Sequence, residues 1–523
     1  IDVSEPDEGT LYGGSRGVLP CEHGIEPPHE HDGPFMNGPP LSPQSANPNV
    51  SRDPLIPRPE DSTPEEPSNK PFIMKALYLA VESLEGIDDE RDIKWEEAKM
   101  AELMSHIFDH DTYELALIPD DANPLRVKWV VKEKPDKLKA RMCPLGCGQE
   151  MGVDYNETWA PTAKLVTLRI FLTIVAIMCL FTVQLDIKTA FLNPFLKEEI
   201  WCKPLRDHLH LLSCILQTLT DEAKIRKIRD QMDLLQGPGR VGMRLKKCVY
   251  GLKQAPREWY LQMHEFLTAL QFRSNEYDVC MYTLHLEGGQ FLLLLLYVDD
   301  ILLAGTSQAL LDDYTRRIGK RFKLGAEGPL TTYLGIKLER NFEEQVIDLS
   351  MEAYILKIYA RFGLVSKSSV NTPMREGLVG MLARAPVADA RFIEDFEYRE
   401  KIGCLIYLMI CMRADICYHV GLLARYSNKV SKVAASGVTH LLHFVWNTRH
   451  WTLKLGGRSA RLRGFADSDW AGCPITRKST CCVLIYMGDG LIDWRSMLTT
   501  ICHSSGAAEF VALDPAARRL VAF

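Results

Sequence analysis

Two adjacent aspartates lie between two strongly apolar runs, and this arrangement limits the fold more than any other feature of the chain. Asp299 and Asp300 follow the run Phe-Leu-Leu-Leu-Leu-Leu-Tyr at 291–297 and precede Ile-Leu-Leu-Ala-Gly. Apolar runs of this kind predict buried strands, and two runs so close together predict a hairpin. Neighbouring carboxylates raise one another's pKa unless a cation intervenes. Residues 297–300 alone are compatible with either a divalent-cation site or a solvated turn.

A third carboxylate favours the cation site. Asp186 follows another apolar stretch, which runs from Ile170 to Val183. Three aspartates on two strands can hold two metal ions, and ions about 3.5–4 Å apart stabilise both the attacking and the leaving oxygen in phosphoryl transfer. The sequence therefore predicts a metal-dependent phosphoryl-transfer site.

Three segments carry a resemblance to a known family. In chain order they read Gln-Leu-Asp186-Ile-Lys-Thr-Ala-Phe-Leu-Asn, Tyr250-Gly-Leu-Lys-Gln-Ala-Pro-Arg-Glu-Trp-Tyr and Tyr-Val-Asp299-Asp. Together they resemble the reverse transcriptase of copia-type LTR retrotransposons, and the resemblance extends from about Trp95 to the last residue. It implies an α+β fold of the right-hand polymerase type, with fingers, thumb and an antiparallel palm sheet, followed by a truncated ribonuclease H-like α/β domain.

The resemblance also implies roles for individual residues. Asp186, Asp299 and Asp300 are expected to be catalytic and to hold two Mg²⁺ ions, with Mn²⁺ as the alternative ion. Leu334 and Gly335 are expected to touch the primer. The residues expected at the nucleotide are Lys139, Arg141, Phe191, Tyr250 and Gly251. Ordinary surface or packing roles remain the alternatives for Arg141, Phe191 and Tyr250.

Two later motifs resemble the ribonuclease H module of the same family. They contain Asp467 and Glu509, which the resemblance implies are two of four acidic metal ligands, with Asp469 as the rival for the first position. Only 14 residues follow Glu509. The one acidic residue among them, Asp514, precedes Pro515, which is unfavourable inside a helix. We therefore expect this second site to be incomplete and inactive.

Composition divides the chain into segments. Fourteen of the 29 prolines lie within 1–70, and this stretch predicts a disordered acidic linker. We expect fingers and palm over 71–320, thumb and tether over 321–450, and the ribonuclease H-like part over 451–523. Residues 205–242 predict a helical insertion with a helix that starts near 218–221. Two more helices are predicted, at 93–108 and from Pro256.

Charge is distributed unevenly along the chain. The formal net charge is −7, but residues 1–120 contribute −18, from 8 Lys/Arg against 26 Asp/Glu, which leaves +11 for residues 121–523. A basic catalytic part is consistent with phosphate-backbone binding.

The expected partners are an RNA template, a DNA primer or RNA–DNA hybrid, deoxynucleoside triphosphates and other polyprotein domains. No membrane span or secretory signal is apparent, so we expect an intracellular protein with reduced cysteines, in the cytoplasm or the nucleus.

Several departures from the family pattern leave two functions open. The segment Met142-Cys-Pro144 places a proline in a predicted fingers strand, and Pro515 falls inside the helix that Glu509 is expected to begin. One hypothesis is an RNA-directed DNA polymerase with an incomplete ribonuclease H. The other is a decayed retroelement remnant that at most binds RNA or RNA–DNA hybrid.

Overall fold

The computed structural model describes residues 90–133, 138–365 and 370–522. The predicted linker over 1–70 and the predicted start of the polymerase at Pro71 lie outside these residues. Within the described part, no helix is both long enough and apolar enough to cross a membrane.

The described residues up to Arg321 combine helices with short strands. The helices are α1 (Glu90–Met104), α2 (Leu165–Ile177), α3 (His208–Thr218), α4 (Glu222–Gln236), α5 (Ala255–Ala269) and α6 (Gln308–Arg321). The strands are β1 (Tyr113–Leu117), β2 (Val127–Glu133), β3 (Leu138–Pro144), β4 (Phe181–Ile187), β5 (Phe195–Cys202), β6 (Val241–Lys247), β7 (Arg273–Ser274), β8 (Met281–His285), β9 (Phe291–Tyr297) and β10 (Asp300–Gly305).

The remaining elements begin with β11 (Leu324–Gly328). They continue with β12 (Thr332–Tyr333), β13 (Ile336–Asn341), β14 (Val346–Ser350), α7 (Glu352–Arg361), α8 (Leu378–Arg384), α9 (Ala390–Phe396), α10 (Tyr398–Cys411), α11 (Cys417–Ala424), α12 (Lys432–Asn447), β15 (Leu453–Gly456), β16 (Leu462–Ser468), β17 (Thr480–Met487), β18 (Gly490–Leu498) and α13 (Ser505–Ala522).

A six-stranded antiparallel sheet, which we call the palm sheet, has the strand order β11–β4–β10–β9–β8–β7. Strand β9 is continuously apolar because it is buried on both faces, and Leu292–Leu296 are each at most 6% exposed. In α5, Trp259, Met263 and Leu267 are buried in the same core, as the helical spacing after Pro256 predicts. The predicted α+β class with an antiparallel palm sheet is confirmed.

A second core lies among α1, α3, α4 and a three-stranded sheet of order β1–β6–β5. The predicted insertion helix is α4, and its first backbone N–H groups are capped by Asp221, whose carboxylate accepts from Ala223 N at 2.9 Å and Lys224 N at 3.2 Å. Ile228 of this helix is fully buried. The insertion also contains α3, which the sequence interpretation missed although Leu211, Leu212 and Ile215 are buried along it.

Of two local predictions, the helix at 93–108 needs correction, whereas the proline predicted within a strand is confirmed. The helix predicted at 93–108 begins at Glu90 and is α-helical to Met104, and the chain continues as a π-helical turn over Ser105–Asp109. Pro144 is the last residue of β3 and pairs with Val127 at the end of the hairpin. A proline at a strand end removes no ladder hydrogen bond from the interior, so the hairpin forms despite the unusual sequence.

Strand pairing crosses both predicted boundaries in the second half of the chain. Strand β11 lies after residue 320 but pairs with β4 in the palm sheet. Strand β15 lies after residue 450 but pairs with β14 in the sheet β12–β13–β14–β15. The boundaries at 320 and 450 therefore each cut a sheet, because pairing between distant strands is not visible in local composition.

The last module is a three-stranded antiparallel sheet, β16–β17–β18, packed against α13. Helix α13 runs from Ser505 to Ala522, so Pro515 lies inside the helix that contains Glu509, as the sequence predicts, and the helix continues through it. Proline removes one backbone hydrogen bond, but Ala512 and Ala516 on either side are buried and hold the helix on the sheet.

Arg169 of α2 connects this last module to the palm. Its guanidinium donates to the carbonyl oxygens of Ile492 in β18 and of Ile410 and Cys411 in α10, and it lies 4.1 Å from the centre of the Trp494 ring. Burial lowers the pKa of Arg169 to about 10. One side chain thus ties three elements from distant parts of the chain.

Candidate functional site

The predicted aspartate hairpin is formed by β9 and β10. Tyr297 pairs with Asp300, so that Val298 and Asp299 make a two-residue turn. Val298 has φ 59°, in the left-handed region, which is unfavourable for a β-branched residue. Trp259 Nε1 donates to Val298 O at 2.7 Å, and Ile187 N donates to Asp299 O at 2.9 Å. The turn is therefore held from α5 on one side and from β4 on the other.

The third predicted carboxylate lies beside this hairpin. Asp186 of β4 is the direct register partner of Asp300 of β10. Directly opposed residues of an antiparallel pair have Cβ atoms about 4.5–5.5 Å apart, so their carboxylates share one end of the sheet. No choice of one carboxylate oxygen from each of the three aspartates places all three oxygens within 4.8 Å of one another. The three carboxylates therefore lie at the same end of the sheet, but they are not in close contact.

Electrostatics shows that these carboxylates are crowded. Burial, together with the charges of Asp299 and Asp186, raises the pKa of Asp300 to about 6. Burial and the charge of Asp186 also raise the pKa of Asp299, while Arg141 and Lys139 oppose this rise. Crowded carboxylates of this kind are stabilised in their charged form by a nearby positive charge. Because the donors are hard oxygens, the residues fit a divalent cation.

Gly325 of β11 makes room for Asp186, and the sequence interpretation did not identify it. A Cβ atom at this position would lie 2.1 Å from Asp186 Oδ2. The pairing of β11 with β4 is irregular here, with a register shift between Leu324 and Glu327. The signal in the sequence is an isolated glycine within a strand, which marks close approach of another group.

Three of the predicted nucleotide-binding residues form one cluster. The guanidinium carbon of Arg141 lies 5.0 Å from the centre of the Tyr250 ring, and the Tyr250 and Phe191 rings are 5.5 Å apart at 63°. Burial raises the pKa of the Tyr250 hydroxyl to about 12. Arg141 Nε is buried and has no hydrogen-bond partner among the described residues, which is unusual for a buried donor.

The other two predicted nucleotide-binding residues differ in their surroundings. Lys139 is two residues before Arg141 on β3, on the same face of the strand, and its charge counters the raised pKa of Asp299. Gly251 has φ 106°, and a Cβ atom there would lie 2.4 Å from Pro144 O. Gly251 therefore permits close packing against the end of β3.

The predicted primer-contacting pair forms the turn between β12 and β13. Leu334 and Gly335 have φ 49° and 74°, and positive values at both positions are typical of a type I′ hairpin turn. Tyr407 Oη donates to Leu334 O at 2.6 Å. The ring of Tyr333, next to the turn, lies 6.5 Å from the ring of Tyr297. This hairpin therefore lies next to the strand that leads into the aspartate turn.

The predicted ribonuclease H residues are not brought into one cavity. Asp467 and Asp469 line a cavity of about 270 Å³ together with Asp415 and Tyr418, and Glu509 is exposed and does not line it. Helix α13, which carries Glu509, covers the opposite face of β16, where a Cβ atom on Gly464 would meet Leu520. Strand residues three apart, such as 464 and 467, point to opposite faces.

Comparison with known proteins agrees with the geometry. The family described as "Reverse transcriptase (RNA-dependent DNA polymerase)" matches residues 110–207 and 235–376. The chain is 30% identical over 433 residues, 81% of its length, to the retrovirus-related Pol polyprotein from transposon TNT 1-94 of Nicotiana tabacum. It is 26% identical over 485 residues, 91% of its length, to that from transposon RE2 of Arabidopsis thaliana. The chain spans 31% of the length of each of these polyproteins.

A shorter relative aligns over almost its whole length. The uncharacterized mitochondrial protein AtMg00810 of Arabidopsis thaliana is 30% identical over 229 residues, which is 43% of this chain and 92% of that protein. The matched ranges of the reverse transcriptase family contain Asp186, Asp299 and Asp300 but not residues 208–234, where α3 and most of α4 lie.

Proposed function

Since the chain belongs to the reverse transcriptase family of copia-type retrotransposon Pol polyproteins, we propose that it is an active RNA-directed DNA polymerase that extends a primer 3′-hydroxyl by two-metal nucleotidyl transfer. The observation that carries this proposal is the pairing of Asp186 with Asp300, with Asp299 in the adjoining turn and the Arg141–Tyr250–Phe191 cluster nearby.

The three aspartates would hold two Mg²⁺ ions. Bound there, the ions lower the pKa of the primer hydroxyl and stabilise the leaving pyrophosphate. The role of the chain is to fix the carboxylates before substrate binds: the Asp299 carbonyl accepts from Ile187, and Gly325 leaves space for the Asp186 side chain. Carboxylates that are fixed in this way would hold the ions without reorganising during the reaction, which favours the rate.

The cluster beside the aspartates would bind the incoming nucleotide. The planar guanidinium of Arg141 matches phosphate oxygens, and its buried Nε lacks a partner in the part of the chain that the structure describes. The Arg141 guanidinium contacts the Tyr250 ring, and the Phe191 ring contacts Tyr250 in an edge-to-face arrangement. Phe191 would then meet a ribose 2′-hydroxyl and exclude ribonucleotides.

A primer-extension assay tests the proposal. It uses the purified chain with an RNA template, a labelled DNA primer, Mg²⁺ and deoxynucleoside triphosphates. We expect extension that stops when Mg²⁺ is chelated and resumes when it is restored. A chain that binds the hybrid but does not extend the primer under any of these conditions would instead be the binding remnant, and the proposed activity would be rejected.

The substitution Phe191→Val is expected to relax sugar discrimination. Loss of the ring opens space for a 2′-hydroxyl, and pocket differences of this size change discrimination about 10- to 200-fold. The measurement is the ratio of kcat/KM for a deoxynucleotide to that for the matching ribonucleotide. Phe342→Val, at a position 61% exposed, is the matched control and should leave the ratio unchanged. If the Phe191→Val enzyme is active and keeps the parental ratio, Phe191 has only a packing role and does not exclude ribonucleotides.

The chain is also expected not to cleave RNA within a hybrid, even while it polymerises. Two-metal cleavage needs acidic ligands around one centre, and here Glu509 lies outside the cavity lined by Asp467 and Asp469. The test is hybrid-dependent cleavage with Mg²⁺ or Mn²⁺. Cleavage that disappears in Asp467→Asn but persists in Asp489→Asn, an exposed carboxylate of the same module, would show that the module assembles a site.

A further inference from the structure

One group of metal-binding side chains lies away from the polymerase site. Glu96 of α1 and His210 and Cys214 of α3 place one ligand atom each within 4.8 Å of one another, and no other trio among the described residues does so. His210 and Cys214 are one helical turn apart on the same face, and Cys214 Sγ lies 3.7 Å from His210 Nε2. The Glu96 carboxylate contacts the same nitrogen from the neighbouring helix. We call these residues the Glu–His–Cys cluster.

We propose that the Glu–His–Cys cluster binds a zinc ion that fastens α1 to α3. Thiolate, imidazole and carboxylate are the ligand types of zinc, at about 2.3, 2.0 and 2.1 Å, and two tetrahedral ligands at the first two distances lie about 3.6 Å apart. The separation of Cys214 Sγ and His210 Nε2 matches this value. The His210 side chain is 41% exposed, so solvent can reach the cluster and a water molecule could supply the fourth ligand.

Zinc binding at this cluster releases a proton, so the zinc affinity should depend on pH. A zinc-bound cysteine is a thiolate, so Cys214 must lose its thiol proton in order to bind the ion. On zinc binding the thiol proton leaves to solvent, and His210 binds through Nε2 as the neutral imidazole with its proton on Nδ1. Affinity should therefore rise with pH, as expected when a thiol must deprotonate to bind.

The neighbouring contacts indicate what the zinc ion would stabilise. Asp207, at the start of α3, accepts from Lys99 Nζ of α1 at 3.0 Å and from Trp129 Nε1 of β2 at 3.0 Å. Helices α1 and α3 and the β2–β3 hairpin, which carries Arg141, are thus already joined on this side. A metal ion bound one turn further along α3 would stabilise the packing of α1 and α3 beside that hairpin. All three ligands lie outside the ranges matched by the reverse transcriptase family, so the site is separate from the segments that define that family.

Cobalt substitution tests the assignment directly. The full chain is stripped of metal with a chelator and titrated with Co²⁺, and thiolate-to-cobalt charge-transfer absorption is recorded. We expect one Co²⁺ per chain with this absorption, and its displacement by one equivalent of Zn²⁺. The aspartate site has no sulfur, so Asp299→Asn must retain the signal. Absence of the absorption in the unmodified chain overturns the proposal.

Single substitutions in the Glu–His–Cys cluster test whether the metal ion binds there. Cys214→Ser is expected to lose the absorption and to weaken zinc binding by more than about 100-fold, since loss of a second-shell partner alone costs up to that amount. Cys147→Ser removes an exposed cysteine elsewhere and is the matched control, with binding unchanged. Glu96→Gln keeps side-chain volume and the thiol, and should keep the absorption with weaker affinity even if Cys214→Ser folds poorly. Undiminished binding in both cluster variants would also overturn the assignment.

Discussion

The substitution Asp299→Asn is expected to reduce primer extension by at least about 1,000-fold while hybrid binding stays within about 2-fold, because it removes a carboxylate charge that would hold the metal ions and leaves side-chain volume nearly unchanged. Asp299 is in the turn that α5 and β4 both hold, so the amide will occupy the same position. Binding depends on many Lys and Arg contacts to the phosphate backbone and is insensitive to one distant carboxylate.

The measurement for Asp299→Asn pairs single-turnover extension with hybrid binding by fluorescence anisotropy. Asp120→Asn changes an exposed carboxylate in the loop between β1 and β2 and should behave as the parent in both assays. Extension by purified Asp299→Asn at the parental rate would show that the metal assignment is wrong. A parallel loss of extension and binding would point to damage of the fold instead.

Gly325→Ala is expected to lower extension by about 100-fold, although no atom of residue 325 takes part in the reaction. The added methyl group would lie 2.1 Å from Asp186 Oδ2, so the carboxylate or strand β11 must move. Displacement of a catalytic group by about 1 Å costs a factor of this order. The effect should appear mainly in kcat, since the nucleotide-binding cluster is on other elements.

The matched control for Gly325→Ala is Gly328→Ala in the same strand. A Cβ atom at 328 would meet nothing within 4 Å, so this variant tests the loss of glycine flexibility without the collision. We expect parental kcat for Gly328→Ala and a similar melting temperature for both variants. Equal activity of the two variants would mean that β11 moves to accommodate the methyl group at residue 325 without displacing the Asp186 carboxylate.

Features encoded in short stretches of sequence could be predicted. The apolar runs around Asp299 specify β9 and β10, because a strand buried on both faces needs apolar residues throughout. Asp221 marks the start of α4, and Pro256 marks the start of α5, because capping side chains and proline at the first turn favour helix starts. The grouping of the three aspartates followed from the family motifs.

Features that depend on contacts between distant segments could not be predicted. The approach of Gly325 to Asp186 exists only because β11 pairs with β4 at the sheet edge. Similarly, β15 belongs with β14, and Arg169 bonds to carbonyls of α10 and β18. Hydrophobic periodicity shows which face of an element is buried but not which element covers it. The same limit applies to α13, where burial of flanking alanines outweighs the local preference of Pro515 against helix.

The left-handed conformation of Val298 makes the aspartate turn depend on contacts from outside its own hairpin. A β-branched residue avoids φ 59° on its own, so the isolated β9–β10 hairpin has no local preference for this turn. The hydrogen bonds from Trp259 of α5 and Ile187 of β4 to the two carbonyl groups of the turn favour this conformation. The position of Asp299 is therefore a property of the packed domain, and a short peptide that carries only the motif would not reproduce it.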